Sequence, residues 1–241
     1  MDDISTFAVL SLGFVYGLRH ALDPDHMVAV STIVSEHKSL ARSSMIGTFW
    51  GLGHTTSLLA VGLAVLVLRI SIPKQVELWM EMAVAAMLVV LGASVLLGVA
   101  RKRGLQLHTH SHSHDGEPPH SHIHVHNRDE HKHRHRIFRL GRKPFVVGMV
   151  HGVAGSAAVT LAALSTIPSV VLGLVYIGLF GLGSVGGMLL MSAMIGLPFA
   201  VTARRFTTIN TGVRLAAGVM SVIFGLMLAW NLLQEISQLA R

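Results

Sequence analysis

The 241-residue chain contains no cysteine. Disulfides and thiolate metal centres are thereby excluded, so any metal must be held by imidazole, carboxylate, amide, hydroxyl or thioether groups. Charge is also scarce: 13% of residues are charged, against roughly 25% in a typical soluble domain. Hydrophobic residues make up 51% of the chain, and the mean hydropathy is +0.60. Several apolar runs reach or approach the ~20 residues that cross a hydrocarbon core. These features exclude a soluble fold and predict an all-α, polytopic membrane protein with the lipid bilayer as its surroundings.

The formal charge of +7 does not indicate nucleic-acid binding, because the basic residues sit in short stretches between apolar runs. Six spans are expected, at about 4–34, 44–69, 77–100, 144–165, 169–200 and 211–234. Fifteen of the nineteen Lys and Arg residues fall between 101 and 143, at Lys38 and Arg42, or at Arg204, Arg205 and Arg214. The positive-inside bias makes those three connections cytoplasmic and puts both termini outside, in a cell (inner) membrane. The opening "MDDISTF" has no basic n-region and leads to no A-x-A-like site, so no signal peptide is expected.

The two halves repeat. "GLRHALDPDHMV" at Gly17 aligns with "GMVHGVAGSAAV" at Gly148, pairing His20 with His151, and "GLGHTTSLL" at Gly51 aligns with "GLGSVGGML" at Gly181. Three spans per half is an odd number, so the second half enters from the opposite side. That predicts a 3+3 inverted repeat, as in secondary transporters with a midplane site. The expected divisions are 1–103, 104–142 and 143–241.

Polar residues interrupt the first span at "GLRHALDPDH". As one helix, residues 4–34 measure ~46 Å, more than a bilayer core requires. Pro24 supplies a break, because its ring clashes with the carbonyl of His20 and its missing N–H leaves that carbonyl free. On an unbroken helix His20, Asp23 and Met27 share a face and His26 points ~120° away; a break brings His26 towards His20. Two imidazoles with Asp23 and Asp25 form a nitrogen and oxygen donor set that suits nickel, cobalt or zinc. A structural network pairing Arg19 with an aspartate is the plainer alternative, but ionisable groups within a span indicate a functional site.

On the second span, His54 is followed by Thr55, and Gly51 and Gly53 permit close helix approach. The second repeat lacks the carboxylates and keeps His151 with small residues such as Ser156. Metal ligands are therefore expected at His20, Asp23, Asp25, His26 and His54, with support from Arg19, Met27, Thr55, His151 and Ser156. Between 107 and 137 lie His108, His110, His112, His114, His120, His122, His124, His126, His131, His133 and His135. This composition predicts a disordered loop of flexible, weakly selective metal ligands.

With "RHALDPDH" and "FWGLGHTTSL", the chain resembles the nickel/cobalt transporter family, whose signatures are R-H-A-x-D-A-D-H and F-x-x-G-H-S-T strings. The resemblance implies His20, Asp25 and His26 as the substrate-metal motif, with Asp23 and His54 supporting it. The second half carries no L-G-x-D-T-A-T-E string, a pattern similar to the shorter urease-accessory transmembrane members. The expected function is transport of Ni2+ or Co2+ as substrate, with no resident cofactor. Uptake is favoured over efflux by the motif, and cytoplasmic metallochaperones are expected partners. A non-transporting sensor or metallochaperone and a b-type haem protein ligated through His20, His54 or His151 are the alternatives. No H-E-x-x-H string of a zinc protease occurs.

Overall fold

The computed structural model describes residues 3–37, 39–68, 72–103, 108–112, 120–124, 136–154, 169–205 and 207–239. Among these are seven helices: α1 Asp3–His20, α2 Pro24–Val34, α3 Leu40–Leu68, α4 Lys74–Arg103, α5 Arg136–Val153, α6 Val170–Arg205 and α7 Thr207–Leu239. Four of them are long and apolar enough to cross a membrane, over Leu40–Val65, Lys74–Arg101, Val170–Val201 and Thr208–Leu239. These helices are apolar around much of their circumference, so large side chains such as Val90, Leu97, Met194 and Ile223 face outwards. In water such a surface would aggregate; in lipid it is the solvated face.

The expected first span is divided at the place the proline dictates. Pro24 has no N–H for the carbonyl of His20, and α1 ends there. The Asp23 N–H donates to that carbonyl at 3.1 Å and the Leu22 N–H to Arg19 at 2.9 Å, closing the chain in a tight turn. Pro24 then opens α2, where its fixed φ suits the first turn. The other helices mostly run beyond the expected boundaries, since continuing the backbone hydrogen bonds costs little at a polar interface. For the expected span 144–165 the helix starts earlier, at Arg136, and residues 155–165 lie outside the described residues.

The expectation of a loop without regular structure is corrected at two places. His108–His112 and His120–His124 pair as an antiparallel ribbon, with His108 opposite His124 and His112 opposite His120. Alternation of histidine with Ser, Thr and Ile has the period of two that a strand requires. His114, His126, His131, His133 and His135 lie outside the described residues.

In the bundle α3 packs along both α5 and α6, α1 along α6, and α4 along α7, while α2 lies across α4, α6 and α7. Glycines set the closest approaches. Gly17 of α1 meets the Phe180 carbonyl of α6, and Gly148 of α5 meets the Trp50 carbonyl of α3. Gly183 likewise meets Phe14, and Gly53 meets Phe145. The contacts therefore come in pairs separated by about the same sequence offset, 130 or 131 residues, that relates the two halves. Between α3 and α6 the order is antiparallel: Gly47 lies by Met188, Gly51 by Val185, and Gly181 by Thr55.

Candidate metal site

The α1–α2 break delivers its side chains into the centre of this bundle. His20, the last residue of α1, and His26, on the first turn of α2, are both buried, and their ring centroids are 4.5 Å apart. His54, at the middle of α3, is fully buried, with its Nε2 3.2 Å from His20 Nε2. Gly53 and Gly152 let α3 and α5 approach closely enough for His151 to enter, and its ring lies 4.1 Å from that of His26. Four imidazoles from four helices thus share one interior position.

Two carboxylates orient these rings. Asp23 Oδ2 accepts from His20 Nδ1 at 2.7 Å, although Asp23 stands where a helix N-cap would bond its own backbone. Asp25 Oδ1 accepts from the His26 backbone N–H at 3.0 Å, and its Oδ2 accepts from His151 Nε2 at 2.9 Å. A carboxylate on one ring nitrogen fixes the tautomer and leaves the other nitrogen a lone pair, the arrangement that supports metal-ligating histidines. His20, His26 and His54 have ligand atoms within 4.8 Å of one another, and so do Asp25, His26 and His151.

The donor set fits a divalent transition metal. Both ring nitrogens of His26 and the Nδ1 atoms of His54 and His151 are buried without a hydrogen-bond partner. Each such atom costs about 1–3 kcal/mol unless something satisfies it, and a cation shared among them would do so. The 3.2 Å between His20 Nε2 and His54 Nε2 is a hydrogen-bond length and is also close to the separation of about 3.3 Å between tetrahedral ligands at metal–nitrogen distances of about 2.0–2.1 Å. That same spacing is too short for a haem iron held between these two rings, which needs about 4 Å from nitrogen to nitrogen.

Of the expected supporting residues that lie among the described residues, only His151 reaches the cluster. Asp23 and Asp25 face histidines and neither pairs with Arg19. Met27 is exposed, because the break rotates α2 and the unbroken-helix face does not exist. Thr55 Oγ1 donates to the Gly181 carbonyl at 3.2 Å and so ties α3 to α6. Ser156 lies outside the described residues. Two aromatic neighbours were not expected: Trp50 stacks on His26 with centroids 5.9 Å apart, and Phe180 lies 5.4 Å from His20. The spacing of Trp50 to His54, one helical turn, was the available sequence signal.

Long apolar helices around buried imidazoles, with two partly exposed carboxylates beside them, describe a membrane protein with a candidate metal site in its interior. The family described as high-affinity nickel-transport protein, NicO, matches residues 6–237, and the chain belongs to that family. It is 38% identical to the urease accessory protein UreH of Bacillus sp. (strain TB-90), over 96% of this chain and 95% of that protein. It is also 25% identical to the chloroplast protein FOR GROWTH AND FERTILITY 1 of Arabidopsis thaliana, over 76% of this chain and 48% of that protein. No solved structure matches.

Proposed function

We propose that the chain carries Ni2+ or Co2+, with Ni2+ favoured, into the cell through the site formed by His20, His26, His54, His151 and Asp25, with Asp23 orienting His20. The observation that carries this reading is the convergence of four buried imidazoles at a broken helix, with ring nitrogens left unpartnered. A transport site must desolvate its ion without holding it permanently, and neutral imidazoles with one shared carboxylate suit that compromise.

Six spans in a 3+3 inverted repeat are the architecture we infer, with termini outside and the histidine segment in the cytoplasm. The paired glycine contacts support it: Gly17 on Phe180 has its counterpart in Gly148 on Trp50, and Gly183 on Phe14 in Gly53 on Phe145. The histidine segment receives ions leaving the site, keeps free metal low and passes it to cytoplasmic metallochaperones. Supply of nickel to urease fits the name of the Bacillus relative. The full R-H-A-x-D-x-D-H string in the first half supports uptake. Cells expressing the chain are expected to hold more nickel at submicromolar supply, a gain that His20→Ala removes. Lower nickel content with greater resistance to toxic nickel would establish export instead.

A further inference from the structure

One aromatic ring packs against His20 and another against His26 and His151. The Phe180 ring of α6 lies 5.4 Å from the His20 ring, inclined at 35°. Trp50 of α3 lies 5.7 Å from His151 and stacks on His26 at 24°. Both aromatics are buried. They are also counterparts in the two halves, since positions 50 and 180 differ by the offset that carries Gly51 onto Gly181. The ring pairs correspond as well, since Phe180 with His20 and Trp50 with His151 each join one residue of the first half to one of the second.

Their heights along the bundle follow from the crossing of α3 and α6. Gly51 meets Val185 and Gly181 meets Thr55, which sets Gly53 level with Gly183. Trp50 is three residues from that level on the side of the α2–α3 connection, and Phe180 is three residues from it on the side of the α3–α4 turn. Each displacement is ~4.5 Å at 1.5 Å per residue. Helical side chains lean towards their own N-terminus, and the two helices run oppositely, so the rings are carried apart with the imidazoles between them.

We propose that Phe180 and Trp50 are the two gates of the metal path, Phe180 closing it towards the α3–α4 turn and Trp50 towards the α2–α3 connection. This rests on the transport reading above. A hydrated divalent ion does not pass an apolar ring in van der Waals contact with its neighbours, whereas a rotamer change of one ring opens one side and leaves the other shut. The gates differ in chemistry. Trp50 Nε1 is buried without a hydrogen-bond partner, so swinging towards water satisfies its N–H, while Phe180 has no such incentive.

The absence of native cysteine permits a direct test. Ser184, fully buried and the counterpart of His54, donates its hydroxyl to the Gly17 carbonyl at 3.3 Å and stands, along α6, at a level between the two rings. In Ser184→Cys the thiol is expected to resist a membrane-impermeant thiol reagent applied to vesicles of either orientation, with Lys74→Cys reporting which face is exposed. Adding Phe180→Ala should speed labelling at least about tenfold from the α3–α4 side alone, and adding Trp50→Ala should do so from the opposite side alone. Phe180→Leu and Trp50→Leu keep apolar volume and decide the matter by the same sidedness if an alanine variant does not fold. No acceleration, acceleration from the wrong side, or acceleration from both sides by one truncation would overturn the gates. Nickel binding, measured on the same preparations, separates the two ideas: binding without sided labelling removes the gates and leaves the transport reading, whereas sided labelling without binding removes the transport reading and with it the role of the gates on a metal path.

Discussion

At the scale of single residues, the carboxylates decide which nitrogen each imidazole offers. Asp23 holds His20 Nδ1, so that Nε2 carries the lone pair and faces His54 Nε2 at 3.2 Å; Asp25 holds His151 Nε2 and leaves Nδ1 free. Asp25→Asn keeps the shape but weakens the acceptor, and the amide can turn its NH2 group towards His151. Nickel affinity should fall by about 10–100-fold, the usual effect of disturbing a ligand's orienting partner, as measured by calorimetric titration. His151→Ala should lower it at least as far. Unchanged affinity in His151→Ala would remove α5 from the site.

Trp50 supplies a second residue-level prediction. Among three tryptophans, Trp79 and Trp230 are exposed and Trp50 is buried against His26. In a chain carrying Trp79→Phe and Trp230→Phe, nickel should quench the remaining emission, and His26→Ala should abolish that quenching. The motif residues were legible in the sequence because proline fixes where a helix must break. The roles of Met27, Trp50 and His151 were not, since they depend on the rotation of α2 and the approach of α5, which only the packed bundle determines.

At the scale of elements, the break between α1 and α2 is the device that makes the site. Pro24→Ala restores the missing N–H and removes a ring whose cost within a helix is about 3 kcal/mol. The variant should fold and melt no lower than the parent in detergent, yet lose nickel binding, because a straightened helix turns His26 away from His20. Retained binding would show that the turn is held by its surroundings rather than by proline.

Glycines give a contrasting pair. A Cβ at Gly53 would strike the Phe145 backbone, whereas one at Gly98 would meet nothing within 4 Å. Gly53→Ala should lower stability by about 1–3 kcal/mol through overpacking, and Gly98→Ala should raise it by about 0.5–1 kcal/mol through helix propensity. Thermal melts of the purified variants measure both. Sequence spacing identified Gly53 as a close-approach position, but it does not distinguish a glycine buried between helices from one beside open space.

At the scale of the whole molecule, the described helices pack without help from the histidine ribbon, whose strands pair with each other. Deleting residues 108–135 should therefore leave helical content unchanged by circular dichroism and reduce nickel accumulation only at low supply. Loss of the fold, or of transport at every concentration, would make the segment part of the machinery. Composition revealed the membrane class. The ribbon escaped notice because its polar alternation has the composition of an unstructured segment.

The central claim is that one metal ion is bound by imidazoles buried in the bundle, and X-ray absorption at the nickel edge tests it most directly. With the histidine segment deleted, the chain should bind one nickel per molecule with several imidazole nitrogens at about 2.0–2.1 Å, and His26→Ala should lose that signature. A shell of oxygen alone, or an unchanged imidazole shell in His26→Ala, would contradict the account.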